Sequence, residues 1–231
     1  MSGTAFQPFA QLAGELLAYL PADQADGSHD LSHLQRVWAN ARRIQAVEGG
    51  DLEVLLAATL LHDCVAVEKN SSLRAQASTL SAERAGVILA GMAWPAPRID
   101  QVTHAVLSHS FSAGFEPLTL EARILQDSDR LDAIGMVGVA RCFYVSGRMG
   151  SALYDVENPT AEGRDYRDRA FAIEHFHTKL LKLAEGFQTT EGARLAQVRH
   201  GRLKVFLADF MDEIGISSAR WGQKCSDRSG V

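Results

Sequence analysis

The chain has 231 residues, of which 46% are hydrophobic and 22% charged, with a formal net charge of −5 and a pI near 5.9. This composition is typical of a soluble folded domain and excludes a disordered or membrane-embedded chain. The acidic balance gives no general attraction for nucleic acid, so we expect a small-molecule partner and neither a nucleic acid nor a membrane partner. Three cysteines without ligand-like spacing favour a reducing compartment, and we expect a cytoplasmic protein.

Two amphipathic segments open the chain. Residues 6–20 are apolar at helical spacing, and no basic region precedes them, which predicts a packing helix rather than a signal peptide. The apolar stripe of residues 34–47 predicts a second helix, capped by Asp30 or Ser32. His33 would then lie in the first turn of that helix.

The pair His62-Asp63 interrupts an otherwise apolar run, residues 55–65, that predicts a buried helix capped by Asp51. Burying an unpaired carboxylate is costly, so such a group normally acquires a cation, a hydrogen-bond network or a proton. One divalent metal would satisfy both residues of the pair.

Residues 66–78 are polar and irregular, which predicts a long loop directly after this pair. Helices are predicted over about 79–91 and 98–109, with two prolines between them that stop one helix and start the next. His104 and His109 fall near the end of the second of these helices.

A longer helix is predicted from Thr119 toward Phe143, and it carries Asp127, Asp129 and Asp132 within apolar sequence. We expect Asp127 and Asp132 to cap a helix, to form ion pairs with arginines, or to hydrogen-bond to metal-ligand side chains without binding the metal themselves. Asp129 is the candidate ligand.

The stretch 147–164 contains glycines and an Asn-Pro pair that predict a connecting loop, followed by helices near 166–185 and 190–214. Strand-like alternation is not convincing anywhere along the chain. The predicted fold class is therefore all-α.

We expect one domain over residues 1–216, with a core that holds the metal site at about 20–150 and additional packing helices at about 165–214. Residues 217–231 are rich in serine, glycine and charge without periodicity, which predicts a flexible C-terminal tail.

Two imidazoles and two carboxylates form a metal-ligand set, His33, His62, Asp63 and Asp129, in which His33, the pair His62-Asp63 and Asp129 come from three different predicted helices or helix ends. Mixed nitrogen and oxygen ligation suits Mn, Fe, Co, Ni or Zn better than Ca or Mg. We expect one divalent transition metal, with Mn as the first choice.

The order H…HD…D, in the segments HDLSHLQRVW, LLAATLLHDCV and ILQDSDRLDAIG, resembles the HD-domain metal-dependent phosphohydrolases. The resemblance covers roughly residues 20–215, and the stretches AVEKNSSLRAQAS, LSHSFSAG and DAIGMVGVARCF make it similar to a bacterial subgroup typified by nucleotide pyrophosphohydrolases. It implies an HD-domain helical bundle that hydrolyses (deoxy)nucleoside triphosphates to monophosphate and pyrophosphate.

The chemistry implied by this resemblance assigns a role to each candidate residue. Asp63 would orient the attacking water, and Lys69 and Arg74 in the loop would neutralise the phosphates. His104 or His109 would donate a proton or a hydrogen bond to the substrate or its leaving group. These two histidines also fit the binuclear branch of the superfamily, so a second metal stays open.

One departure from the subgroup is Glu68, where many relatives have proline. Other phosphohydrolase activities remain alternatives: a nucleotide monophosphatase, a cyclic-nucleotide phosphodiesterase or a hydrolase of guanosine alarmones. The last usually carries a Glu-Asp pair soon after HD, which residues 66–69 lack. A metal- and nucleotide-binding sensor without turnover is the alternative from another class. A homodimer is possible, because helical bundles of this size often associate.

Overall fold

The computed structural model describes residues 3–20, 30–67 and 74–216, and within these ranges the chain forms α-helices and short 3-10 turns but no β-strand. The predicted all-α fold class is thereby confirmed. No helix of the described ranges is long and apolar enough to cross a membrane. The α-helices are α1 (Ala10–Leu17), α2 (Leu31–Glu48), α3 (Leu52–Leu61), α4 (Ala77–Gly91), α5 (Ala96–Ser108), α6 (Leu120–Asp132), α7 (Gly135–Arg148), α8 (Glu174–Thr178) and α9 (Thr190–Glu213).

Contacts between Cα atoms divide the chain into two compact units. The first runs to Asp132 and also includes Phe187–Arg194, and the second holds Ala133–Gly186 and the chain from Leu195 onward. The helix α9 therefore begins in the first unit and continues in the second. The single domain proposed over residues 1–216 stays a prediction, and the expected tail at 217–231 lies outside the described residues.

The helix α3 forms the centre of the first unit. Every side chain from Val54 to Leu61 is buried, so the helix has no polar face and its sequence shows an apolar run instead of a stripe. Asp51 caps it as predicted, because Oδ1 of Asp51 accepts the backbone N–H groups of Glu53 and Val54 at 2.9 and 3.1 Å. In the same unit α2 packs on α6, and α5 contacts α3, α4 and α6.

The long helix predicted from Thr119 toward Phe143 is wrong, because α6 ends at Asp132 and α7 begins at Gly135. Gly135 has a φ of +75°, a conformation that favours glycine and breaks a helix. A Cβ atom at Gly138 would clash with the backbone carbonyl of Ala133. The turn thus depends on two glycines that helical periodicity alone does not reveal.

The helix predicted near 166–185 is also wrong, since its only α-helical part is α8, followed by a 3-10 turn. Ion pairs organise this segment instead. The Arg164 guanidinium lies 2.6 Å from Oε1 of the buried Glu174 and 2.8 Å from Oδ2 of Asp155. The predicted final helix, 190–214, is confirmed as α9.

Candidate metal centre

Four helix segments bring the candidate ligands together in the first unit. His33 lies in the first turn of α2, where Oδ1 of Asp30 accepts its backbone N–H at 3.1 Å, so Asp30 caps this helix. His62 and His109 are the C-terminal caps of α3 and α5. Asp129 projects from α6 and completes the cluster.

His33 and His62 present the same ring nitrogen to each other. Nδ1 of His33 lies 2.8 Å from Oδ2 of Asp132, and Nδ1 of His62 lies 2.7 Å from the carbonyl oxygen of Thr59. A carboxylate and a carbonyl only accept hydrogen bonds, so each Nδ1 carries the proton and each neutral ring keeps a lone pair on Nε2. These two Nε2 atoms are 3.2 Å apart.

Two facing lone pairs repel each other unless a cation accepts both, and this arrangement supports the fit of a metal ion. Ligand atoms at about 2.1 Å from one ion lie roughly 3.0–3.4 Å apart. Oδ1 of Asp129 lies 3.5 Å from Nε2 of His33 and 4.0 Å from Nε2 of His62. The first of these two distances is close to that range and the second is wider, and His33, His62 and Asp129 form a group of donor atoms that could hold a divalent transition metal.

A second group of possible ligands shares His62 with the first and adds Asp63 and His109. Oδ2 of Asp63 lies 3.5 Å from Nε2 of His62, and its Oδ1 lies 3.7 Å from Nε2 of His109. Nδ1 of His109 donates to the carbonyl oxygen of Val106 at 2.6 Å, so its Nε2 also faces the cluster. The structure thus brings all four predicted ligands together, with His109, as two overlapping groups.

Electrostatics favour an uncharged His109. Burial lowers its pKa, and the neighbouring His62 lowers it further, against the opposing effect of Asp63 and Asp129. A neutral ring with its proton on Nδ1 offers an accepting Nε2 and no Nε2 proton. The expected donation of a proton by His109 would require protonation that burial opposes, whereas the ring is ready to accept a hydrogen bond or bind an ion.

Asp132 supports His33 from outside the cluster. Its carboxylate, 1% exposed, accepts from Nδ1 of His33 and from Nε of Arg36 at 2.6 Å. Nη2 of Arg36 lies 3.0 Å from the other carboxylate oxygen, so the arginine binds in a bidentate manner. One of the roles expected for Asp132, contact with a ligand residue from outside, is therefore seen. The sequence signal is the three-residue spacing of His33 to Arg36 and of Asp129 to Asp132.

The remaining candidates differ in position. Neither possible ligand group includes His104, whose Nε2 accepts the backbone N–H of Leu118 at 3.0 Å. This side chain lines a cleft between α4 and α5, and its catalytic role stays a prediction. Lys69 lies outside the described residues. The backbone of Arg74 begins a 3-10 turn, whereas its side chain is not among the described parts of the structure.

Sequence reasoning missed an aromatic stack beside Asp129. The guanidinium of Arg130 lies over two rings, 4.1 Å from the centroid of Phe111 and 4.5 Å from that of Phe187. Phe111 nevertheless keeps 55% of its surface exposed. In sequence Phe111 follows the cluster residue His109 by two positions, and Arg130 follows Asp129 directly. No local sequence pattern predicts this contact, because Phe111, Arg130 and Phe187 are far apart in the sequence.

Comparison with known proteins places the same region in one family. The family model described as HD domain matches residues 30–134, which contain all four predicted ligands. The YpgQ protein of Bacillus subtilis is 32% identical over 196 residues, which make up 83% of this chain and 87% of YpgQ.

Solved structures agree with the sequence comparison. The structure of Bacillus subtilis YpgQ in complex with ADP is similar with a TM-score of 0.67 at 29% identity, covering 87% of this chain and 97% of that one. An HD-superfamily hydrolase from Bacillus thuringiensis gives a TM-score of 0.67 at 27% identity, over 88% of this chain and 96% of its own. With the HD-domain match over residues 30–134 and a relative that is 32% identical over most of both chains, this chain belongs to the HD-domain phosphohydrolase superfamily.

Proposed function

We propose that this metal-dependent hydrolase cleaves (deoxy)nucleoside triphosphates to a nucleoside monophosphate and pyrophosphate. The observation that carries the proposal is the convergence of three imidazole Nε2 atoms and two half-buried carboxylates at one point of the first unit. The ligands suit a divalent transition metal, with Mn first among Mn, Fe, Co, Ni and Zn.

Support for a nucleotide substrate comes from a relative and from a side chain. The YpgQ structure holds ADP, which carries a base and a phosphate chain. In this chain the exposed ring of Phe111 contacts Arg130, which follows Asp129 in the sequence, and offers an aromatic surface for a base. A nucleobase stacked there would leave its phosphates directed toward the cluster.

The chain's own residues would divide the work as follows. His33, His62 and Asp129, with Asp63 as the predicted fourth ligand, would hold a divalent ion, which when bound neutralises phosphate charge and lowers the pKa of water. Asp63 is about one-third exposed, so its carboxylate can accept a hydrogen bond from a water molecule and orient it toward phosphorus. The Nε2 atom of the neutral His109, 3.7 Å from Asp63, would accept a hydrogen bond in the same place.

Arg130 would contribute positive charge close to the leaving group. Its guanidinium lies against two aromatic rings, and these contacts favour one position of the charge before substrate binds. The predicted phosphate contacts of Lys69 and Arg74 remain part of the proposal. Pyrophosphate leaves as a multiply charged group, and cations near it would lower the barrier by stabilising that charge.

The test is product analysis by anion exchange after metal-stripped protein is incubated with a nucleotide panel, with and without Mn, Co, Ni, Mg or Zn. We expect metal-dependent release of pyrophosphate and monophosphate, and a loss of about a thousandfold or more in Asp63→Ala. Asp165→Ala removes an exposed carboxylate of the second unit and serves as the matched control, with activity unchanged.

Other products would change the assignment. Orthophosphate released from monophosphates would indicate a nucleotide monophosphatase, and opening of cyclic nucleotides would indicate a phosphodiesterase. Either result would contradict the proposed pyrophosphohydrolase activity. Tight nucleotide binding without turnover under any metal would replace it with a sensor. A nucleotide affinity that persists in Asp63→Ala while turnover disappears would identify an enzyme.

A further inference from the structure

One face of α9 in the second unit presents apolar side chains away from the core. Val198 and Val205 are 45% and 61% exposed, and Gly201 lies between them at helical spacing. On the opposite side of the same helix Leu203 and Leu207 are buried. The exposed stripe is therefore not required to build the core of this unit.

Two opposite charges border the stripe. Arg202 and Asp209 line the same groove as the two valines, and neither forms an ion pair or hydrogen bond with another of the described residues. We call Val198, Gly201, Arg202, Val205 and Asp209 the α9 face. It combines an apolar centre with the positive charge of Arg202 and the negative charge of Asp209, both of which lack an ion-pair partner among the described residues.

Gly201 is not explained by packing within the described chain. A glycine inside a helix costs about 0.5–1 kcal/mol relative to alanine. A Cβ atom at position 201 would meet no atom of the described residues within 4 Å. A close approach by another backbone is a physical reason for a glycine at such a position.

The charges fit a second copy of the same face. Arg202 and Asp209 lie equally far, about one helical turn, on either side of the point between Val205 and Phe206. When two such helices pack antiparallel about a two-fold axis through this point, Arg202 of each copy lies opposite Asp209 of the other. We propose that the α9 face binds the α9 face of a second copy, forming a two-fold symmetric dimer.

This arrangement satisfies what a two-fold interface requires. The surface is self-complementary, since each contact is repeated by symmetry. Val205 packs near the axis, Gly201 lets the helices approach, and the Arg202–Asp209 pairs form at the rim, where they fix the register more than they add affinity. The face covers only a few helical turns, so a reversible dimer is expected.

The test is sedimentation of the full-length protein over a range of concentrations. Arg202→Glu and Asp209→Arg each place like charges opposite each other twice per dimer, and each is expected to raise the dimer dissociation constant at least about tenfold. The double variant exchanges both charges and re-forms the pairs, so its dissociation constant should return to within about threefold of the wild-type value. Val205→Glu, at an exposed position, is a further disrupting variant.

Lys204→Glu is the matched control, because it makes the same charge change on α9 about 100° around the helix from Val205. It should leave the dissociation constant within about threefold of wild type. Circular dichroism verifies folding of every variant. A wild-type protein that stays monomeric at about 200 µM, or a dimer that none of these substitutions weakens, would overturn the proposal.

Discussion

Nδ1 of His33 and Oδ2 of Asp132 lie 2.8 Å apart, and both side chains are almost fully buried. The carboxylate keeps the proton on Nδ1 and directs the lone pair of Nε2 toward His62 and Asp129. Arg36 holds the carboxylate in turn, through two nitrogen atoms. The orientation of a candidate metal ligand thus depends on a buried pair that itself lies outside the cluster.

Asp132→Asn should weaken metal binding. The neutral amide is a poorer acceptor and can turn its NH2 group toward Nδ1, so His33 is no longer fixed in one tautomer. We expect affinity for Mn²⁺, measured by isothermal titration calorimetry, to fall roughly 10- to 100-fold.

Asp127→Asn is the control for that variant, because Asp127 is equally buried on the same helix but bonds to Gln188 and Thr189. The Asp127→Asn substitution should lower the free energy of unfolding and leave the affinity for Mn²⁺ within about threefold of the wild-type value. An Asp132→Asn variant that binds Mn²⁺ like wild type would show that Asp132 serves stability alone.

The number of bound ions distinguishes the two overlapping ligand groups. We expect one ion per chain, measured by elemental analysis of purified loaded protein, and loss of that ion in His33→Gln. His109→Gln should retain the ion and lose turnover, because His109 belongs only to the second group. Two ions in wild type, with one lost in His109→Gln, would instead establish a binuclear centre.

The clustering of the candidate ligands could be predicted in part because helix ends display them. His33 follows a capping aspartate, and the pair His62-Asp63 ends an apolar run, so local sequence already positions both. The same local signals failed after Asp132, where Gly135 with positive φ breaks a periodic stretch. Periodicity records which residues face a core, and it does not record how the backbone turns between two helices.

Contacts between distant segments could not be predicted at all. Phe187 stacks on Arg130, and Asp127 accepts hydrogen bonds from Gln188 and Thr189, although about sixty residues separate them. The local sequence of neither segment predicts which distant residues it contacts. The segment Phe187–Arg194 joins the first unit through these contacts.

Gly192→Ala should destabilise that connection. A Cβ atom at 192 would lie 2.6 Å from Oγ1 of Thr189 and closer still to Oδ2 of Asp127, and hydrogen bonds from three donor groups prevent this carboxylate from moving away. We expect the free energy of unfolding, from urea denaturation, to fall by about 2 kcal/mol or more.

The matched substitution is Gly14→Ala in α1, where an added Cβ would meet no described atom within 4 Å. It should raise the free energy of unfolding by about 0.5–1 kcal/mol, as expected for alanine replacing a helical glycine. Equal effects of the two substitutions would contradict the close contact at Gly192.

Cys142 should react slowly with iodoacetamide. Burial raises the pKa of its thiol to about 11, and the nearby Asp168 adds to this, while Ser146 opposes it. Only the thiolate reacts, so at pH 8 about 0.1% of the thiol is reactive, against about a quarter for an ordinary cysteine. Mass spectrometry should show alkylation at least about 100-fold faster in urea, and a rate in the native protein that still increases above pH 9. A native rate that levels near pH 8.5 would contradict the raised pKa.

Phe111→Ala tests whether the exposed ring stacks on a nucleobase. Base–aromatic stacking contributes about 1–3 kcal/mol, so KM for nucleoside triphosphates should rise roughly tenfold or more. Inorganic triphosphate has no base, and its kcat/KM should stay unchanged if the substitution leaves the metal centre intact. Phe115→Ala removes a second exposed aromatic of the same loop and should leave both substrates unaffected. If Phe111→Ala slows both substrates equally, the ring instead acts by holding Arg130 in place.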